Sequence, residues 1–114
     1  MPIKNITKNK IVSTDSKILD DVLSKFIGLM FSKNGKKTLI LKFNKEKIIS
    51  LHMLFVFYPI DALFLDKNKI AADKKENFKP FAFYTSKRKA MYVIEMPNGA
   101  IRKAKTEIGD KISF

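Results

Sequence analysis

Short apolar segments separated by polar turns run along most of this chain, a pattern typical of a protein built from β-strands. The longest such segment, residues 48–57, has aromatic and β-branched side chains on both faces and is predicted to be a central, buried strand. Charged segments at 44–47, 66–69 and 74–77 are predicted to be turns or loops. Strands are predicted over about 38–43, 48–57, 62–65, 70–73, 90–96 and 111–114.

One segment has helical spacing instead. Residues 13–16 form a cluster of N-cap side chains, Gly28 stands at a C-cap position, and apolar residues between them recur every three or four positions. One short N-terminal helix is therefore predicted over about 16–27. Together these elements predict a single mainly β domain over residues 1–114, either an antiparallel β-sandwich of jelly-roll-like form or a small barrel.

Composition narrows the function classes. The chain contains no cysteine, which excludes disulfides, thiolate metal sites and cysteine nucleophiles. The first residues contain no apolar signal-peptide region, and Pro59 and Asp61 interrupt the longest uncharged apolar run before it could span a membrane. We therefore expect a soluble, cytoplasmic protein with no membrane partner.

Candidate chemistry is sparse. No nucleophile triad, phosphate-binding glycine loop or dinucleotide fingerprint is present, so no cofactor is predicted and the sequence leans away from an enzyme. The sole histidine, His52, with scattered carboxylates is too little for a metal site, and none is predicted. A hydrolase would require His52, Asp61 and Glu95 to lie within hydrogen-bond reach of one another.

Glu95 is the most informative polar residue. It falls inside a predicted strand, where alternation places it on the face of Val93 and Pro97, so burial of that face would require a partner, most simply a cation or histidine. Asp61, which follows a proline corner, is more simply explained as a carboxylate that holds a turn. The leading hypothesis is a non-enzymatic module that binds a small molecule or protein partner, with these candidate ligand-binding residues: Met30, His52, Met53, Asp61 and Glu95.

The charge supplies an alternative. The formal net charge is +12, but only Arg88 and Arg102 are arginine, and a lysine-dominated surface favours solubility over specific nucleic-acid recognition. Residues 78–89 nevertheless interleave aromatic rings with cations, as in proteins that bind single strands. Nonspecific single-stranded nucleic-acid binding is thus the alternative to an edge segment with a solvated basic turn, and its residues would be Phe81, Phe83, Tyr84, Lys87, Arg88 and Lys89.

An ordered set of short motifs adds a resemblance. Residues 28–31 follow the predicted helix, His52-Met53 opens a strand, and residues 59–66 and 92–99 precede a closing Gly109-Asp110. From about residue 22 to 114 the chain resembles the domain of unknown function 192 family, small uncharacterised prokaryotic proteins. The resemblance implies a compact β-sandwich or jelly-roll-like fold and no known activity. Many members have Trp-Met-Lys-Asn-Thr where this chain has His-Met-Leu-Phe-Val, so a polar site on that strand is not expected here.

Overall fold

The chain forms ten short strands and one short helix in a computed structural model that describes residues 1–20, 37–53 and 57–114, with only the backbone at His52. The strands are β1 (Ile3–Asn5), β2 (Lys10–Ser13), β3 (Lys17–Leu19), β4 (Leu39–Lys47), β5 (Ser50–His52), β6 (Ile60–Leu65), β7 (Ala71–Phe78), β8 (Phe83–Thr85), β9 (Ala90–Pro97) and β10 (Ile112–Ser113). The helix, α1 (Ala100–Lys103), follows β9 directly.

A five-stranded sheet in the order β3-β4-β9-β6-β7 organises the fold. Its middle strands β9 and β6 are almost wholly apolar, and every residue of β6 is buried, as expected for strands covered on both faces. Neighbouring residues of β9 point to opposite faces, so the two faces are named here after Val93 and Ile94. A separate apolar cluster packs on each.

Smaller sheets cover both faces. The two-stranded sheet β5-β8 contributes Leu51 and Tyr84 to the cluster on the Val93 face. The three-stranded sheet β10-β1-β2 contributes Ile3 and Ile112 to the cluster on the Ile94 face, where α1 adds Ile101. The predicted mainly β fold is confirmed, as layered sheets and not a closed barrel. The described part of the chain contains no helix that is long and apolar enough to cross a membrane.

The helix prediction fails at its start. Lys17–Leu19 is strand β3, which pairs in parallel with β4, Lys17 beside Leu39 and Leu19 beside Leu41. Ile18 packs on the Ile94 face and Leu19 on the Val93 face, so neighbouring apolar residues serve two layers, an arrangement that spacing alone does not separate from a helix. Residues 21–27 of the predicted helix lie outside the described residues.

The prediction of a central strand over 48–57 is also wrong in the described positions. Strand β4 continues through Lys47, so residues 44–47 are not a turn, and β5 spans only Ser50–His52 in a small sheet with β8. Residues 54–56 lie outside the described residues. The charged segment 74–77, predicted as a loop, belongs to β7, because an edge strand can direct charged side chains into solvent.

Candidate functional site

Asp61 is a fully buried carboxylate that holds the turn between β9 and α1. Its Oδ2 accepts hydrogen bonds from the backbone N–H groups of Gly99 (3.1 Å) and Ile101 (3.0 Å), and its Oδ1 accepts one from Asn77 (2.9 Å). Gly99 is the N-cap residue of α1, and its φ of 92° is a conformation that suits glycine. Glycine has no side chain that could cap the helix. Asp61 therefore supplies the cap from a neighbouring strand, a structural role.

Glu95 lies across the sheet from that cap. In the β6–β9 pairing Asp61 is opposite Met96, whereas Glu95 is opposite Ala62. Met96 belongs to the cluster on the Ile94 face and Ala62 to the cluster on the Val93 face. Since paired residues share a face, the two carboxyl groups point to opposite sides of the sheet. They share no site. The hydrolase hypothesis requires the two carboxyl groups within hydrogen-bond reach of each other, so the structure does not support it.

Glu95 is a buried residue with no bonded partner among the described residues, yet no side-chain oxygen or nitrogen of the described structure is both fully enclosed and unbonded. Glu95 is 7% exposed, flanked on its face by Leu39 and Ala62, and no residue of 1–20, 37–53 or 57–114 forms a hydrogen bond or ion pair with its side chain. Burial raises the pKa of this carboxyl from its ordinary 4.5 to about 8. The side chain is therefore largely protonated at neutral pH, and it can both donate and accept a hydrogen bond.

Two lysines stand in the same cross-strand row as Glu95 but do not neutralise it. The pairings run Lys17, Leu39, Glu95, Ala62, Lys75 from β3 to β7. Each lysine is thus one intervening strand away, about 10 Å between Cα atoms at ordinary strand spacing. The ammonium of Lys75 lies 5.7 Å from the centre of the Tyr84 ring instead. The cationic partner expected from the sequence is not found among the described residues.

The other ligand-binding candidates are distributed unevenly. Met53 is buried in the cluster on the Val93 face, the same face as Glu95, and its backbone bonds to Ala82 and Phe81. His52 contributes its backbone to β5, and Met30 lies outside the described residues. Glu95 and Met53 are therefore the two candidates that the described structure brings to one face.

The residues of the nucleic-acid alternative divide into an inner and an outer set. Tyr84 packs inward against Phe64 and Phe78, and its hydroxyl donates a 2.7 Å hydrogen bond to Asp73. Burial first, and then the bond to Asp73, raise the pKa of Tyr84 to about 12. The remaining five candidates, which are Phe81, Phe83, Lys87, Arg88 and Lys89, are exposed.

A second polar cluster, centred on Asp110, joins the C-terminal segment to the N-terminal segment. Asp110 accepts hydrogen bonds from the side chains of Asn5 (2.9 Å) and Lys8 (2.9 Å) and from the Glu107 N–H (2.9 Å). Burial alone would raise the pKa of Asp110, but these hydrogen bonds lower it below its ordinary value. The cluster is internally satisfied and joins β1 to the segment before β10, which marks it as structural.

A cleft that sequence reasoning missed lies beside the Asp61 cap. It encloses about 630 Å³ between the end of β2 and the β9–α1 turn, and its polar lining includes Thr38, Asn98 and Lys103. This volume is within the range of small-molecule sites. The sequence indicates only a turn at 97–99, because the strands that bring β2 to that turn are paired over long distances. Among the described residues, no group of three or more histidine or acidic side chains is placed to hold a metal.

Fold and site together define a small mainly β domain with a capped turn, a buried acid and no assembled catalytic group among the described residues. Comparison with known proteins places it more closely. The family model for DUF192, described as "Uncharacterized ACR", matches residues 3–114. The chain belongs to this family, and the resemblance stated from its motifs is confirmed.

Relatives and solved structures agree. The chain is 37% identical to a UPF0127 protein from Pyrococcus furiosus, covering 96% of this chain and 95% of the relative. It is 38% identical to one from Thermococcus kodakarensis, covering 98% and 72%. Its fold is similar, at 18% identity and a TM-score of 0.86, to a protein of unknown function from Novosphingobium aromaticivorans, with 100% of this chain and 84% of that one covered. A protein from Sinorhizobium meliloti provisionally described as a transcription regulator matches at a TM-score of 0.84 and 18% identity, covering 98% and 89%.

Proposed function

We propose that this protein is a non-enzymatic binding domain that takes a small, mostly apolar ligand onto the Val93 face of its central sheet, with Glu95 as the polar contact. The observation that supports the proposal is the position of Glu95, a largely buried carboxyl between the apolar residues Leu39 and Ala62 that has no bond to a described residue. A carboxyl held in apolar surroundings loses much of its hydration, so its presence there needs an explanation.

The protonation state of Glu95 defines the ligand class. A protonated carboxyl offers one O–H donor together with acceptor oxygens. It therefore fits a neutral group that can both accept and donate a hydrogen bond, such as a primary amide or an alcohol. The surrounding Leu39, Ala62 and Val93 favour an apolar body on that ligand. A charged anion is disfavoured there, because its charge would be desolvated with no cation bonded beside it.

Binding fits this geometry better than catalysis. Acid–base chemistry with two groups requires a second titratable residue near the first, and the structure directs Asp61 to the other face. The carboxyl of Asp61 is also fully engaged by three backbone N–H groups. Glu95 can therefore orient a ligand, but no described residue is bonded to it as an acid or base partner.

The experiment is a thermal-shift screen of short-chain primary amides and alcohols, followed by titration of the best probe. Glu95→Leu removes the polar contact while it preserves an apolar face, and we expect it to weaken binding by about tenfold or more, as loss of a buried hydrogen bond does. Thr38→Val in the cleft is the matched control and should bind as the wild type does. Failure of every probe to bind, or loss of binding in Thr38→Val but not in Glu95→Leu, would refute the proposal.

A further inference from the structure

The segment 81–87 presents one side to the core and the other to solvent. Ala82 and Tyr84 turn inward and join the apolar cluster on the Val93 face. Phe81 and Phe83 turn outward and are 55% and 80% exposed, and Thr85 and Lys87 continue the same outward row. Phe83 and Thr85 are alternate residues of β8, so their outward side chains are about 6.6 Å apart, with Phe81 in the turn before this strand and Lys87 in the bend after it.

A third exposed ring lies next to Phe81. Phe57 is 74% exposed, and its ring meets that of Phe81 edge to face with centroids 5.6 Å apart. Isolated apolar side chains on a surface need no explanation, but Phe57 and Phe81 form a contacting pair of exposed rings, and the exposed Phe83 follows two residues along the chain. These rings lie outside the core, whereas Tyr84 and Phe78 belong to the apolar cluster on the Val93 face.

The backbone holds Phe81 outward at an energetic cost. Its φ is 64°, a left-handed conformation that is unfavourable for a bulky side chain. Hydrogen bonds from the Phe81 N–H to the Met53 carbonyl (2.9 Å) and from the Met53 N–H to the Ala82 carbonyl (2.9 Å) fix this geometry. Strain that the surrounding structure maintains is typical of functional segments.

The charged side chains in the segment that carries Phe81 and Phe83 are all positive. Residues 79–89 contain no acidic side chain, and Lys79, Lys87, Arg88 and Lys89 are all exposed. Asp73 lies beneath the segment, but it is buried and accepts hydrogen bonds from the Tyr84 hydroxyl and the Lys87 N–H. The surface therefore combines apolar rings with exposed cations on a protein whose net charge is +12.

We propose that this surface, formed by Phe57, Phe81, Phe83, Lys87, Arg88 and Lys89, binds single-stranded nucleic acid without sequence preference. Unpaired bases stack on the exposed rings, and the cations contact the phosphates that follow. A duplex fits less well, because its bases already stack on one another and offer their edges, not their faces. The surface is separate from the Glu95 site, which lies inside the Val93 face.

The test is fluorescence anisotropy with a labelled oligothymidylate of about 16 nucleotides, a length that covers one such site. For three phosphate contacts, raising the salt from about 50 to 200 mM should weaken binding about 20-fold. Replacing Lys87, Arg88 and Lys89 by serine should reduce the slope of log affinity against log salt by about 2. Replacing Phe81 and Phe83 by alanine should weaken binding about 30-fold or more while the salt slope stays unchanged.

Matched controls separate binding at this surface from nonspecific attraction to the net charge or to any exposed apolar side chain. Serine replacements at Lys4, Lys10 and Arg102 remove the same residue types from exposed positions elsewhere, and they should keep most of the salt slope. Alanine replacements at Ile11 and Ile108, which are 58% and 51% exposed, should leave affinity unchanged. All these side chains are exposed, so circular dichroism and the unfolding midpoint should match the wild type.

Three outcomes would overturn the proposal. The first is absence of binding to the oligothymidylate at the lower salt concentration. The second is equal loss of binding in the Lys87 set and its charge-matched control. The third is ring-dependent binding to phosphatidylcholine–phosphatidylserine vesicles by a protein that ignores the oligonucleotide, which would assign the surface to a membrane instead.

Discussion

Asp61 and Glu95 lie one register step apart on the paired strands β6 and β9, yet their carboxyl groups occupy opposite faces of the central sheet. Asp61 is bonded to three backbone N–H groups. Glu95 has no hydrogen bond from any residue in the described ranges, and burial raises its pKa to about 8. The first carboxyl supports the fold, and the second is the polar contact of the proposed ligand site.

The Asp61 cap predicts a loss of stability on truncation. Asp61→Ala leaves the N–H groups of Asn77, Gly99 and Ile101 without their acceptor, and the Ile101 N–H is fully buried, where an orphan costs about 1–3 kcal/mol, so we expect a loss of at least about 1 kcal/mol. Urea denaturation measures it. Asp66→Ala is the control, because Asp66 also accepts two backbone N–H bonds, one exposed and one partly buried, but none that is fully buried. Equal losses in the two variants would contradict a structural cap at Asp61.

The Asp110 cluster predicts a loss of stability in acid. Its folded-state pKa is lower than its ordinary 3.8, so the stabilisation is fully present above pH 3.8 and is lost as the pH falls through the folded pKa. Asp110→Asn should flatten this acid limb in urea denaturation. Asp15→Asn should not, because Asp15 pairs with the amino terminus at an exposed position where ion pairs contribute little. An unchanged acid limb in Asp110→Asn would refute the assignment.

The raised pKa of Tyr84 predicts that the free energy of unfolding falls in alkaline solution. Its pKa is raised from 10 to about 12, so the stabilisation is fully present below pH 10 and is lost as the pH rises toward 12. Phenolate absorbance should show a late step that disappears in Tyr84→Phe. In Asp73→Asn that step should move to lower pH, because the negative acceptor is gone. A late step that persists in Tyr84→Phe would assign it to another tyrosine.

The raised pKa of Glu95 predicts that the free energy of unfolding also depends on pH at intermediate values. Between pH 4.5 and about 8 the folded state holds a proton that the unfolded state has released, so the free energy of unfolding falls as the pH rises and levels off above 8. The difference corresponds to at most on the order of 5 kcal/mol. Glu95→Gln, which cannot ionise, should remove this slope and be more stable than the wild type at pH 8. Parallel curves for the two proteins would contradict a raised pKa.

The fold was predictable where local pattern and burial coincide. Strands β6 and β9 are apolar at nearly every position, so the segments 62–65 and 90–96 indicate strands without tertiary information. Residues 17–19 were not predictable, because Ile18 and Leu19 suit a helix stripe as well as a strand that feeds two layers. The place of β5 in a small separate sheet, and not at the centre of the fold, also depends on its partner β8, which lies more than thirty residues further along the chain.

The candidate site was predictable only in part. Strand alternation places Glu95 with Val93, and the register shows the same face. Its lack of a partner could not be foreseen, because the distance from Lys17 and Lys75 depends on which strands intervene. The grouping of Glu95 with Asp61 came from the expectation that apolar strands converge near both residues, but the sheet places their side chains on opposite faces. The cleft beside α1 forms between segments distant in sequence, so no local pattern indicates it.

The most direct test of the account is a carbon-13 NMR titration of the side-chain carboxyl of Glu95, assigned by comparison with Glu95→Gln. We expect a midpoint near pH 8, since the carboxyl is buried among apolar neighbours without a bonded partner in the described structure. A midpoint near the ordinary 4.5 would show that the carboxyl is solvated or paired with a cation, and it would contradict the proposed ligand site.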